Sequence, residues 1–433
     1  MTAKLWAGIL WPVAALGALV LLPTRARAQA QPSAPPAQMR VTLDQAIEIA
    51  RIHNHALLAA RTTILQNQSQ EITANLRPNP VLLADSQFLP LFQPGDLTGD
   101  YLANSAQFDV GLSYLFERGD KRQHRLQAAK DQTAVTTAQV SDNERTLTFN
   151  VASQFIAALL AQSQLDFAQQ DLMSFQQTVD IGQDRFNAGA MSEGDLLKIK
   201  LQLLQFQMDV SSARLARVQA LATLRQLLGY ESVPDTYGVD GTLAYQAVTL
   251  TEDQLRELAL QDRPDLRAAR LSITAAQSQH TLAQANAKRN LTAQASYTHV
   301  ASTNTASFFA NIEVPIFDRN QGEVARTRYA VTQSQELSGE QTSIVLTDVT
   351  NAYESLHTSA QVVQLYESGY RKQAEDSRDI SQYAYQRGAA TLLDFLDAQR
   401  SYRATELAYR QALANYMVGL EQLRQAVGVR SLP

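Results

Sequence analysis

The sequence predicts a mostly α-helical, duplicated chain of long antiparallel helical hairpins that also carries a small β-sector. Three observations point there: an internal repeat, two long stretches free of proline, and four short segments of alternating polarity. The repeat is the firmest. Residues 44–61 (DQAIEIARIHNHALLAAR) align with 253–270 (DQLRELALQDRPDLRAAR) at 8 identical positions of 18. Phe116-Glu117-Arg118 then matches Phe317-Asp318-Arg319, and Phe186-Asn-Ala-Gly189 with Asp195 matches Tyr385-Gln-Arg-Gly388 with Asp394. The offsets run 209, 201 and 199, so one order of elements recurs with small deletions.

The chain opens with Lys4, an apolar run from Leu5 to Leu22 and then Thr24-Arg25-Ala26-Arg27-Ala28. A basic start, an apolar core and Ala26-x-Ala28 fit a secretory signal over 1–28, cleaved after Ala28. A run of this length is alternatively a retained membrane anchor. Cleavage removes three cations and takes the net charge from −5 to −8. Residues 29–40 are rich in Pro, Ala and Gln and read as a disordered lead-in. Repeat one then covers 41–230, a Pro/Gly-containing linker 231–248, repeat two 249–428 and a short tail 429–433. No other apolar run is long enough to form a membrane helix.

No proline lies between Pro94 and Pro234, or between Pro315 and Pro433. Interior proline breaks helices, so these stretches permit very long ones. A helix from Lys121 to Ala188 would be roughly 100 Å long, and its expected counterpart is one helix from Gln321 to Arg387. Gly189 and Gly388 then provide stops, and a second helix of each hairpin runs to Leu228 or Val427. On the last of these, Phe395, Tyr402, Tyr409, Tyr416 and Leu423 repeat every seven residues beside the small residues Ala398, Thr405, Ala412 and Gly419. Large against small at a 3.5-residue period describes a packing seam.

Period-2 alternation marks strands at Val81–Phe88, Ala106–Phe116, Leu291–His299 and Ser307–Ile316, expected to pair as one hairpin per repeat. Each is near the length of a tilted strand crossing an outer membrane. A small soluble sheet with one buried face is the alternative. Four strands cannot close a barrel, and an open sheet in lipid would leave backbone groups unsatisfied. Three chains would supply twelve strands.

Composition excludes several functions. Lys+Arg is 37 against Asp+Glu 42 with no basic block, which argues against nucleic acid as a partner. With no cysteine there is no disulfide, thiolate metal site or thiol nucleophile. The six histidines form no i,i+4 pair and no cluster with acids at metal spacing, and no phosphate loop or nucleophile elbow occurs. The sequence therefore predicts no enzyme activity, no cofactor and no metal site.

In this order and duplicated, these features resemble the TolC-type outer-membrane efflux proteins over residues 41–428. The motifs that carry the likeness are Arg263-Pro264-Asp265-Leu266, Arg185-Phe186-Asn187-Ala188-Gly189 with Asp195, and Tyr385-x-x-Gly388 with Asp394 and Asp397. Leu76-Arg77-Pro78-Asn79-Pro80 also resembles the heavy-metal branch typified by CzcC. The resemblance implies a homotrimer with a twelve-stranded barrel in outer-membrane lipid and a helical tunnel in the periplasm. It also implies docking to a periplasmic adaptor (membrane fusion) protein and an inner-membrane transporter.

Residue by residue, the resemblance implies a periplasmic gate made by Asp195, Tyr385, Asp394 and Asp397, and adaptor-contacting tips at Gly189 and Gly388. First-turn acids are also favoured by the helix dipole alone. Ala390 stands where the family has its latch arginine, so a salt-bridged latch is not expected and the resting pore should close less tightly. The N-terminus expected after cleavage has no cysteine for a lipid anchor, which would leave the barrel as the membrane attachment. The implied function is the exit duct of a tripartite exporter for small solutes, drugs or metal ions. A protein-secretion duct of the same fold, and a structural periplasmic coiled coil, are the alternatives.

Overall fold

The structure, a computed structural model, describes residues 39–431. The leader over 1–28 and most of the lead-in lie outside the described residues. Each repeat opens with a pair of helices. In the first, α1 (Leu43–His53) starts in a capping box of Thr42 and Gln45, and α2 (His55–Asn75) starts at Asn54. Asn54 accepts from the Leu57 amide at 3.0 Å and donates to the Leu227 carbonyl at 2.9 Å, so one side chain caps one helix and holds another.

Strands β1 (Arg40–Val41), β2 (Val81–Gln87) and β3 (Gln107–Phe116) precede the long hairpin of α4 (Lys121–Asn187) and α5 (Glu193–Leu228). A short helix, α3 (Gly99–Asn104), sits in the loop between β2 and β3. Strand β4 (Gly238–Val239) pairs in parallel with β1 and returns the linker to the start of the chain.

Repeat two follows the same order. Helix α6 (Glu252–Asp262) starts in a capping box of Thr251 and Gln254, and α7 (Pro264–Asn286) has Pro264 in its first turn. Arg263, between them, is 3% exposed. It pairs with Asp265 at 2.5 Å and Asp348 at 2.9 Å, and donates to the Ala426 carbonyl at 3.2 Å. The Arg-Pro-Asp-Leu motif is thus a helix start built around a buried guanidinium, with Leu266 in the core below it.

Strands β5 (Leu291–Val300) and β6 (Thr303–Ile312) follow, joined at Ala301 and Ser302, both with positive φ. Strand β6 begins and ends four residues earlier than its sequence pattern suggests. Pro315 has no amide to donate, and the chain has already left the sheet before it.

The second hairpin corrects one expectation. Its first helix does not run unbroken from Gln321 to Arg387. Helix α8 (Gln321–Leu365) passes through a π turn at Tyr366–Tyr370 before α9 (Arg371–Gln386), and Gly369 there has φ 130°. A residue with a Cβ does not take that conformation without strain. Helix α10 (Leu392–Val427) completes the hairpin, and its Phe395, Tyr416 and Leu423 are buried, as a seam requires.

The four strands form one antiparallel sheet in the order β2-β3-β5-β6, so the two repeats meet at β3–β5. Val110, Leu112, Phe308 and Ile312 share one face and are exposed, Phe308 by 82%. The opposite face carries the paired row Asp85, Asp109, Thr298 and Thr305. Among the described residues, strands β2 and β6 have no partner on their outer edges. Among the described residues no helix is long and apolar enough to cross a membrane.

Candidate functional site

The two hairpin tips lie side by side, with a cavity of about 590 Å³ between them. Both tips end in a left-handed glycine, Gly189 at φ 69° and Gly388 at φ 77°. A two-residue step then leads to a capped helix start. Ser192 accepts from the Asp195 amide at 3.1 Å, and Thr391 accepts from the Asp394 amide at 3.2 Å.

Beneath the tips, four rings join the hairpins. Phe206 of α5 stacks on Phe175 of α4 at 4.4 Å, Phe175 lies 6.3 Å from Phe395 of α10, and Phe395 stacks on Tyr385 of α9 at 5.4 Å. Each hairpin contributes two rings, so the column fixes the separation of the tips. Stacked rings of this kind add on the order of 1 kcal/mol each beyond their burial.

The four expected gate residues differ in their surroundings. Asp195 is partly exposed and pairs with Lys198 at 3.1 Å. Bonds from Ser192 and then Lys198 hold its carboxyl below the usual range. Asp394 turns back on its own helix cap. Its carboxylate accepts from the Thr391 hydroxyl at 2.7 Å and amide at 3.1 Å, which lowers its pKa. Asp397 is exposed and pairs with Arg400 at 3.2 Å. Tyr385 is buried; its hydroxyl finds no hydrogen-bond partner among the described residues, and burial pushes its pKa up.

Two further groups link the hairpins through partners that the sequence does not reveal. The first is Arg185. It reaches from the last turn of α4 to donate to the Tyr385 carbonyl at 3.0 Å, with its guanidinium 5.5 Å from the Tyr385 ring. A cation at the C-terminal end of α9 is also favoured by the helix dipole. Ala390 cannot make such a link, but the opposite hairpin does. The RFNAG motif is what marks the position, although not the partner.

The second lies deeper in the hairpins. Asp171 of α4, 6% exposed, accepts from Gln399 of α10 at 2.6 Å. Its other oxygen lies 2.6 Å from Arg403 Nε as an ion pair that is not aligned as a hydrogen bond. Arg403 also pairs with Asp209 of α5 and lies 4.3 Å from the Phe206 ring. Burial pushes the Asp171 carboxyl up to about 6, against the opposing pull of Arg403, Arg378 and Gln399. Among the described residues no three His, Asp or Glu side chains gather in a way that could hold a metal ion.

The tip cleft is lined by Arg185, Asp195, Lys198 and Tyr385, while Asp394 and Asp397 lie outside its lining, and it sits at the end of helical arms about 100 Å long. The chain is 26% identical to the pyoverdine export outer membrane protein OpmQ of Pseudomonas putida, over 94% of this chain and 90% of that protein. It is 25% identical to the cation efflux system protein CusC of Escherichia coli, over 72% of this chain and 70% of that protein. Among solved structures, the open-state MtrE outer membrane channel of Neisseria gonorrhoeae superimposes with a TM-score of 0.72 at 19% identity, covering 89% of both chains. VceC of Vibrio cholerae gives 0.70 at 18%, covering 89% of this chain and 96% of that one. The model of the outer membrane efflux protein family matches residues 46–230 and 255–429, both repeats, and the chain belongs to that family.

Proposed function

We propose that three copies of this chain close a single duct, with twelve strands in the outer membrane and six hairpins enclosing a periplasmic tunnel. As a member of its family the chain is an outer-membrane efflux channel, the outer-membrane part of a tripartite system. The finer reading is carried by one observation: a four-stranded sheet, apolar on one face and polar on the other, with both edges unpaired among the described residues. Such a sheet in lipid needs partners for its edge amides and carbonyls. Further support comes from α5, where Leu197, Leu201, Leu204, Met208, Leu215 and Val218 form an exposed stripe at heptad spacing. A second copy would bury it.

In that assembly Asp195, Asp394 and Asp397 of each chain ring the periplasmic entrance, while Tyr385 and the ring column hold the tips together. Gly189 and Gly388 present the tips to the adaptor. The cargo is a small solute or metal ion, as the names of the covered relatives suggest. Native mass measurement in mild detergent tests the assembly. A stable trimer is expected, and a protein found only as monomer overturns it.

A further inference from the structure

We propose that the feet of the four strands form a basic collar that binds the phosphodiester headgroups of phospholipid in the periplasmic leaflet. This rests on the reading that the apolar face of the sheet meets lipid. No Lys or Arg occurs from Pro78 to Glu117, nor from Asn290 to Asp318, so the sheet and its far loops contain none. Within two residues of these limits each strand has an exposed cation at its helical end, Arg289 beside Asn290 being the one engaged with Glu313. Arg77 precedes β2, Arg118 follows β3, Lys288 precedes β5 and Arg319 follows β6. None of the four side chains has a salt-bridge partner among the described residues.

The acids at the same level are largely engaged. Glu117 is held by Arg125 at 2.8 Å, Glu313 by Arg289 at 3.2 Å, and Asp318 accepts from the Asn320 amide at 2.7 Å. Apolar side chains surround the cations. Phe116 and Ile316 are exposed there, and Phe317 is 89% exposed. Arg77, Phe116 and Arg122 share the wall of a cavity of about 310 Å³.

An apolar band ending in aromatic residues and then in unpaired cations matches the change from acyl chain to headgroup. The opposite end of the sheet carries no Lys or Arg, and its loops hold Asp96 and Asp100 with the exposed apolar Phe88, Leu91 and Phe92. The collar therefore fixes both the depth and the direction of the barrel. Near anionic headgroups each basic residue is worth about a five-fold factor in binding.

The full chain, reconstituted into phosphatidylcholine vesicles with and without phosphatidylglycerol, tests this. Three forms are compared: wild type, a variant with Arg77→Gln, Arg118→Gln, Lys288→Gln and Arg319→Gln, and a charge-keeping variant with the arginines changed to Lys. Phosphatidylglycerol retained through purification is counted by native mass spectrometry, and lipid brominated near the headgroup quenches a Phe317→Trp reporter. Wild type and the Lys variant should retain phosphatidylglycerol, and the Gln variant should lose it by five-fold or more while still inserting. Equal retention by the Gln variant overturns the collar. Wild type that fails to float with vesicles overturns the lipid-facing reading itself, and the collar with it.

Discussion

Arg185 Nη1 donates to the Tyr385 carbonyl oxygen at 3.0 Å, and so ties the tip of the first hairpin to the last turn of α9. The two residues are 200 positions apart in the chain. The bond is charge-assisted, and its acceptor is a carbonyl that no side-chain substitution removes.

Arg185→Ala should therefore raise the resting conductance of the reconstituted channel, while Arg185→Lys, which keeps the charge, should raise it less. Loss of one such bond costs about 1.5–3 kcal/mol, enough to populate a looser tip. Single-channel recording reads the change directly. A resting conductance unchanged by Arg185→Ala would mean that the ring column of Phe206, Phe175, Phe395 and Tyr385 holds the tips without it.

The acidic entrance calls for variants that spare the helix starts. Asp394 completes a capping box with Thr391, so Asp394→Ala would mix loss of charge with a weakened helix start worth about 1 kcal/mol. Asp394→Asn keeps an acceptor for Thr391. The double change Asp394→Asn and Asp397→Asn should lower cation selectivity and weaken block by multivalent cations. Unchanged selectivity and block would leave both residues as helix-start acids only.

Much of the fold was legible because it is duplicated and punctuated by strong breakers. Gly189 and Gly388 mark both tips, the proline gaps delimit the hairpins, and alternation identifies all four strands. Thr391-x-x-Asp394 is a capping box readable from its spacing alone. Other features had no local signal. Gly369 looks like any helical glycine, which usually costs only about 1 kcal/mol and breaks nothing. Arg185 has a backbone oxygen as its acceptor, and no pattern of side chains predicts that. Asp171 looks solvated in a Gln-rich helix until α5 and α10 cover it.

That buried carboxyl gives a pH dependence of unusual sign. Asp171 has a raised pKa, about 6 against an ordinary 3.8. Its contribution to stability is complete below 3.8 and is lost as pH rises through 6. Relative to Asp171→Asn, wild type should lose roughly 1 kcal/mol between pH 5 and pH 8. Thermal unfolding of both proteins across that range measures it. Parallel curves would show that Arg403 and Gln399 stabilise the carboxylate fully.

The break at Gly369 distinguishes the two hairpins, since α4 runs 67 residues without interruption and α8–α9 does not. Around it, Tyr409 donates to Glu367 at 3.0 Å and Arg371 pairs with Glu406 at 2.5 Å, so both sides of the turn are held to α10. A Cβ at position 369 would have room, its nearest neighbour being Gln373 at 3.9 Å, and strain comes from the φ of 130° alone. Gly369→Ala should thus favour a regular helix through the turn at a cost of on the order of 1–3 kcal/mol to the observed state. The tip below would be displaced relative to α10. Spin labels on α9 and α5 near the tips should report a shifted or broadened distance in Gly369→Ala, with the distance between labels above the turn unchanged. Identical distances below the turn would show that the π turn is a passive irregularity and not a joint.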